Sequence, residues 1–580
     1  MDFTEEQKLY LEGFGRALAA ARGAQAAPSE PAGPERIHFA AQNRVLAAGG
    51  KLVKEEEAKR AKHPFDMWDE IAANAAKGEF PKGADVFLYK FHGLFHVAPA
   101  QNSFMLRLRN PNGILDSHKL RAVAAIAEDC GGSYAHVTTR ANLQIREIAP
   151  KHALRVLERL AEAGLTSRGA GADNVRNITG NPTAGIDPVE LADTRPLGLE
   201  LYHTILNHRE LFGLPRKFNI AFDGGGRVAS LEDTNDIGLS AVRVGPGKAV
   251  PEGVYFRVAV GGITGHGDFA RDLGVLVAPE HCVPVAVAIV RVFIDEGDRT
   301  DRKRARLKYV LDRMGPERFL AETEKRLAAP LSRLSLAECE PRPPRARGMH
   351  VGFHAQKQAG RVYCGVALPV GKMTAAQMRG IADIAERRGS GTIRLTPWQN
   401  LIVSDIAQTD HAAVAEALGE IGLSADASSI RAGIVACTGN TGCKFSASDT
   451  KRHALAIAEH LDARLAVDAP LNIHLTGCPN SCAQHTVGDI GLLATKIAAA
   501  DAEIEGYHLF AGGGFGDRRG LGREILRDIP ADEVPQVLER LLRAYLGRRD
   551  SPEEDFQAFA RRHGADALRA FAQAKLREAA

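Results

Sequence analysis

The stretches HVTTRANLQIREI (136–148) and TIRLTPWQNLIVSDI (392–406) read as one element written twice. A shift of 258 residues carries Thr138 onto Thr396, Asn142 onto Asn400 and Leu143 onto Leu401 without a gap. Upstream, Pro111 and Gly113 fall on Pro369 and Gly371; downstream, Gly164 and Leu165 fall on Gly422 and Leu423. Both copies run strand, turn, helix, strand, helix. The first reads FMLRLRN, PNG, HKLRAVAAIAEDC, the quoted stretch and HALRVLERLAEAGL. The second reads VYCGVALPV, GK, AAQMRGIADIAERRG, its quoted stretch and HAAVAEALGEIGL. The helical segments repeat apolar residues at i, i+3, i+4 and i+7; the strands are apolar and β-branched. Element order held at one offset marks an internal duplication.

The duplication continues outward. ITGN (178–181) mirrors CTGN (437–440), and FRVAVGGITG (256–265) mirrors YHLFAGGGFG (507–516). Each half is therefore a small α/β unit followed by a larger one, in an internally duplicated α/β (α+β) chain with pseudo-twofold symmetry. The divisions expected are a helical extension over 1–85, half-domain repeats over 86–165 and 349–425, larger units over 166–336 and 426–550, a Pro/Arg-rich linker over 337–348 and a helical tail over 551–580. One difference separates the larger units. Ile178 stands where Cys437 stands, so only the second carries thiols. A duplicated fold with one chemical centre implies a cofactor between the copies, gripped from both sides.

Composition bounds the function. At 580 residues the chain needs more than one core. With 45% hydrophobic and 25% charged residues it is an ordinary globular sequence. Its net charge of +3 is too small to mark a nucleic-acid binder. The start, MDFTEEQKLY, lacks the apolar core of a signal peptide, and no run reaches the ~18 apolar residues of a membrane span. The chain reads as cytoplasmic and monomeric, where lasting disulfides are rare.

Of the eight cysteines, Cys130, Cys282, Cys339 and Cys364 are scattered and read as small buried hydrophobes. The others pair as C-x5-C (Cys437, Cys443) and C-x3-C (Cys478, Cys482), with room between for one helix and one returning strand. Structural zinc usually takes tighter knuckles. The looser pairs place a 4Fe–4S cluster ahead of zinc, with four unrelated thiols third. Gly439, Gly442 and Gly477 let backbone amides approach the sulfurs. The first half offers cations near glycines and turns: Arg107, Arg140, Arg176, Arg216 and Lys217. Such groups suit a polycarboxylate cofactor and a small anion. Taken singly, each also reads as a surface charge.

These residues carry a resemblance. The motifs FMLRLRNPNGIL, VTTRANLQIR, GADNVRNITGNPTAGIDP, ADTRPL, LPRKFN, VGGI, HAQKQAG, ACTGNTGCKFSASDTK, TGCPNSCAQ and GDIGLL stand in the order found in the sirohaem-dependent nitrite and sulfite reductases. Over about residues 85 to 550 the chain resembles that family, and most nearly its ferredoxin-dependent nitrite reductases of nitrate assimilation. The resemblance implies a three-domain duplicated fold and an oxidoreductase reducing nitrite to ammonia with six electrons. It implies Cys437, Cys443, Cys478 and Cys482 as 4Fe–4S ligands, with Cys482 also the axial ligand of sirohaem iron. By the same resemblance Arg107, Arg176, Lys217 and Asn219 face the substrate, and Arg140 pairs with sirohaem carboxylates. Gly261, Gly262, Gly512 and Gly513 correspond to close-approach positions beside cofactor; tight turns ending strands are the alternative.

Asn219 speaks for nitrite, since sulfite-type members carry a second lysine there, and an added ammonium favours a dianion. Gly442 departs from the aromatic common in nitrite-type members, and DRTDRKRARLKY (298–309) leans to the sulfite pattern. No flavin or NADPH domain is evident, so an external one-electron carrier such as ferredoxin is expected. The basic runs 302–306 and 342–347 are candidate docking sites. The rival readings are an assimilatory sulfite reductase, a corrinoid-pathway oxygenase of the same fold, and a non-catalytic iron–sulfur or zinc protein.

Overall fold

The computed structural model describes residues 33–499 and 502–574. Residues 1–32 of the expected helical extension lie outside that range. Four sheets occur among the described residues, two in each half of the chain.

The quoted stretches build the two smaller sheets. In the first, strand Leu143–Ile148 lies between Ser103–Arg107 and Tyr134–Val137. In the second, Leu401–Ala407 lies between Arg361–Val366 and Thr392–Leu395. The repeat holds to the residue. Leu106 pairs with Ile145 and Ala135 with Ile145; Cys364 pairs with Val403 and Ile393 with Val403. Helices Ser117–Cys130 and Ala375–Arg388 start at equivalent points. Asp116 caps one by accepting from Lys119 N; Thr374 and Gln377 form a capping box on the other. Their apolar faces, Leu120, Val123, Ala124 and Ala127 against Met378, Ile381, Ala382 and Ala385, are buried in one common core.

One feature of the pairing is absent from the linear repeat. Strand Ile114–Asp116 joins the second sheet, and Lys372–Thr374 joins the first. Each half lends an edge strand to the other, which closes two sheets into a single body and covers both edges.

The larger sheets also correspond. Val175–Thr179, Phe218–Asp223, Ile237–Val244, Gly253–Val260 and Arg271–Val277 are neighbours in that order. So are Ile434–Ala436, Ile473–Thr476, Ile490–Ala499, Ala502–Ala511 and Arg523–Pro530. In each, the first two junctions are parallel and the next two antiparallel. Ser332–Arg333 extends the first sheet. Helices Phe556–Arg562 and Ala565–Gln573 bury Phe556, Phe559 and Leu568 in the second unit's core. No described helix is long and apolar enough to cross a membrane.

Most cations of the two basic runs are engaged inside the protein, while Lys303 and Arg304 are exposed. Arg302 makes two hydrogen bonds to buried Asp173, at 2.7 and 2.8 Å, and Arg306 pairs with buried Asp236 at 2.7 Å. Arg342 and Arg345 reach Asp223 at 2.6 and 3.1 Å, Arg345 also reaches Glu232 at 2.6 Å, and Arg347 pairs with Asp489 and Asp555. The Arg-rich segment binds acidic groups of both larger units. Arg302, Arg306, Arg342, Arg345 and Arg347 are internal ties, because each meets a carboxylate that the chain brings from far away.

Candidate active site

The thiol loops leave the ends of parallel strands. Ile434–Ala436 delivers Cys437, and Ile473–Thr476 delivers the turn carrying Cys478 and Cys482. Gly477 N donates to Cys437 Sγ at 3.1 Å, and Thr450 Oγ1 lies 3.5 Å from the same sulfur. A Cβ at Gly477 would collide with Ser446 and stand 3.3 Å from that sulfur, so glycine is required for the amide's approach. Burial raises the pKa of Cys437, and Cys482 raises it further; burial likewise raises Cys478, with Cys482, Cys443 and Cys437 adding to it. The four thiols thus lie within one another's field. No three His, Cys, Asp or Glu side chains among the described residues close tightly enough to hold a single metal ion. Cys130, Cys282, Cys339 and Cys364 are buried and unpaired with one another, as small hydrophobes should be.

Cys482 is the exposed member of the quartet, and the first half's cations converge on it. Arg107, Arg140 and Lys217 all feel its charge. Thr139, next to Arg140, donates to the Cys482 carbonyl at 3.0 Å, so the quoted stretch of the first copy touches the cysteine turn of the second. Each of these cations is half-buried, keeping part of its surface accessible.

Their pKa values register the crowding. Burial lowers Lys217 to about 7, and Arg306 lowers it as well, against an opposing pull from Cys482. Burial takes Arg107 and Arg140 down to about 10, and takes Arg176 well below its ordinary value, helped by Arg107. None has a carboxylate at ion-pair distance among the described residues. Arg107 rests on the Phe95 ring at 4.6 Å. Arg140 donates to Asn235 Oδ1 at 2.7 Å, and Arg176 to the carbonyls of Ala170 and Ala172 at 3.1 and 2.6 Å. Lys217 has no hydrogen-bond partner among the described residues. Enclosed cations without counter-charges are costly, and an anionic ligand offsets that cost.

Asn219 follows Lys217 on strand Phe218–Asp223. Its backbone N–H donates to Asp236 Oδ2 at 2.9 Å, and its side-chain Oδ1 is buried without a donor. Arg216 stands apart, 3.8 Å from Asp173. The glycine pairs have another explanation. A Cβ at Gly262 would strike the backbone of Asp233 and Asn235, and one at Gly513 that of Thr486 to Gly488. Gly261 and Gly512 adopt φ of 86° and 84°, the left-handed region, and donate to the carbonyls of Asp236 and Asp489 at 2.9 Å each. Packing of the chain on itself and the left-handed backbone already call for glycine at these four positions.

Sequence reasoning missed three residues. Asp236 and Arg306 form the buried pair beneath Lys217 and Asn219. Arg146, in the quoted stretch, reaches across to the cysteine loop. Its place one residue beyond apolar Ile145, with a serine at the matching repeat position, was the available signal.

Comparison with known proteins follows the same lines. Residues 171–331 and 427–579 match the nitrite and sulphite reductase 4Fe-4S domain, and residues 96–163 and 354–421 the nitrite/sulfite reductase ferredoxin-like half domain. A ferredoxin–nitrite reductase of Synechococcus elongatus is 35% identical over 86% of this chain and 97% of its own. An assimilatory ferredoxin-dependent nitrite reductase of Haloferax mediterranei is 34% identical over 83% of this chain and 86% of its own. The solved NirA protein of Mycobacterium tuberculosis superposes with a TM-score of 0.83 at 27% identity, covering 90% of this chain and 99% of that one.

Proposed function

The chain belongs to the nitrite and sulphite reductase family, and from that premise we propose that it reduces nitrite to ammonia, six electrons in all, with ferredoxin as donor. The observation that carries this reading is the meeting at Cys482 of a thiol quartet from one copy and unpaired cations from the other. The donor set fits a 4Fe–4S cluster on Cys437, Cys443, Cys478 and Cys482. The uncompensated cations fit the carboxylates of sirohaem, with Cys482 shared between the two groups. When bound, the coupled pair supplies storage and delivery of single electrons to the N–O group.

The remaining work falls to this chain's own groups. Arg107 and Arg176 hold the anion by charge-assisted hydrogen bonds. Arg140, tied to Asn235, would pair with the macrocycle's carboxylates when sirohaem is bound. Lys217 Nζ, with a pKa near 7, carries a proton it can release and regain, which a guanidinium does not do readily. Its position lets it neutralise charge developing on oxygen as each N–O bond breaks. Asn219 leaves the pocket with one ammonium rather than two, matched to a monoanion. Electrons enter from the cluster side, where Lys444 and Phe445 follow Cys443; Phe445 is 62% exposed, and Lys444 Nζ lies 5.4 Å from its ring. An acidic carrier suits that surface.

The test is an absorption spectrum of the purified protein with turnover on reduced viologen. Sirohaem bands and a preference for nitrite over sulfite are expected. Absent bands would remove the proposal, and a preference for sulfite would reassign the substrate.

A further inference from the structure

Arg146 lies on strand Leu143–Ile148 of the first copy, only 3% exposed. Its guanidinium leaves its own sheet for the loop joining Cys437 to Cys443. Nη2 donates to Thr438 Oγ1 at 3.0 Å, while Nη1 donates to Gly442 O at 3.4 Å and to Gln101 Oε1 at 3.2 Å. All three acceptors are neutral, and Nε is buried without a partner. A Cβ on Gly442 would stand 2.5 Å from Nη1, so glycine there makes the room. The repeat supplies a control within the same chain. The matching position of the second copy is Ser404, buried and bonded to Arg394 and Asp405. Strand pairing around the two is the same, so the fold does not demand an arginine. Only the copy that abuts the cysteine loop has one.

We propose that Arg146 sets the reduction potential of the cluster held by Cys437, Cys443, Cys478 and Cys482, a role that rests on the cofactor reading above. Burial lowers the pKa of Arg146, and the negative forms of Tyr134, Cys443, Glu147 and Cys437 pull it back up. Two of those four are cluster thiols, so the guanidinium and the cluster share one field. Reduction adds one electron, hence one negative charge, to the cluster. A fixed guanidinium in a low-dielectric setting stabilises the added charge more than the oxidised state. Its hydrogen bonds also hold the loop between two ligands. Arg146 is thus a positioning and tuning residue; it touches neither substrate nor the reacting atoms.

The experiment is a redox titration of the cluster, followed by its electron paramagnetic resonance signal, in holoenzyme carrying Arg146→Gln, Arg146→Lys or Gly442→Ala, with iron and sulfide content measured alongside. Arg146→Gln is expected to shift the one-electron equilibrium about tenfold toward the oxidised form, ~59 mV lower. Arg146→Lys, which keeps the charge, should stay near wild type. Gly442→Ala should move in the direction of Gln but less, because it displaces the guanidinium without removing it. Full cluster content with an unchanged potential in Arg146→Gln overturns the inference. If Arg146→Gln fails to retain its cluster, Gly442→Ala decides: a lowered potential supports the role and an unchanged one ends it. A wild-type protein without any 4Fe–4S signal would bring down the cofactor reading as well, whereas a normal signal insensitive to these variants would bring down this inference alone.

Discussion

In the first large unit Asp236 accepts the Asn219 amide at 2.9 Å and is paired with Arg306; in the second, Asp489 accepts the Asn472 amide at 2.7 Å and is paired with Arg347. Gly261 and Gly512 donate to those two aspartates alike. On this shared frame the chemistry is divided. Aligned on ITGN with CTGN, and on the equal stretch from Asn to Asp, the four cysteines fall on Ile178, Ala184, Gly225 and Ala229, all buried. Conversely, Arg176 and Lys217 fall on Val435 and Pro470. In the smaller units Arg107, Arg140 and Arg146 fall on Gly365, Trp398 and Ser404. One copy has the thiols and the other the cations. Duplication doubles the frame, and at these matched positions the two copies then diverge, thiols in one and cations in the other.

The sharpest way to break that comparison is to alter a thiol and its counterpart. Cys482→Ser is expected to abolish both the cluster signal and the sirohaem bands, because in the proposed arrangement one sulfur would serve both groups. Ala229→Ser, at the matching place of the first copy, should keep both. Absorbance and iron content read the difference, and a Cys482→Ser protein with full bands would refute the shared ligand.

Lys217 against Pro470 is the next contrast. Lys217→Ala should leave cofactor content intact and lower nitrite turnover about 100-fold, the usual scale for a lost proton donor. Cofactor-free protein offers a second reading of the same residue. The folded state holds Lys217 near pKa 7, while an unfolded lysine titrates near 10.4. Between those values the unfolded chain binds a proton that the folded one refuses, so stability falls as pH is lowered from about 10 to 7. Lys217→Met should flatten that slope. Denaturant titrations at several pH values measure it, and an unaltered slope would place Lys217 in open solvent.

Asn219 and Asn472 share a backbone role and differ in surroundings. Asn219→Lys is expected to raise the ratio of sulfite to nitrite specificity constants about tenfold, since a second ammonium beside Lys217 favours a dianion. Asn472→Lys should destabilise the protein without moving that ratio. Equal responses would mean that the shared frame, not the pocket, sets the preference.

The smallest effect concerns electron entry. Lys444→Glu should raise the KM for ferredoxin several-fold and leave turnover with reduced viologen unchanged, since a rim charge steers a protein partner but not a small dye. A KM that does not move would send the search for the docking face elsewhere.

The linear sequence by itself determined the duplication and the order of elements within each copy, because those show in periodicity and in short local motifs. The constant offset reappears in the pairs Leu106 with Ile145 and Cys364 with Val403. The cysteine quartet was legible for the same reason: two short motifs hold the thiols, and one helix and one strand bring them back together. Tertiary structure alone decided the exchange of Ile114–Asp116 for Lys372–Thr374, since an edge strand's partner depends on how the two halves close. It also decided which cations are internal ties and which face the cleft. Arg302 and Arg306 look like Lys303 and Arg304 in a sequence, yet the former meet Asp173 and Asp236 inside while the latter face solvent. A charge's meaning lies in its distance to the opposite charge, and for Arg146, Arg306 and Lys217 that distance spans residues far apart in the chain.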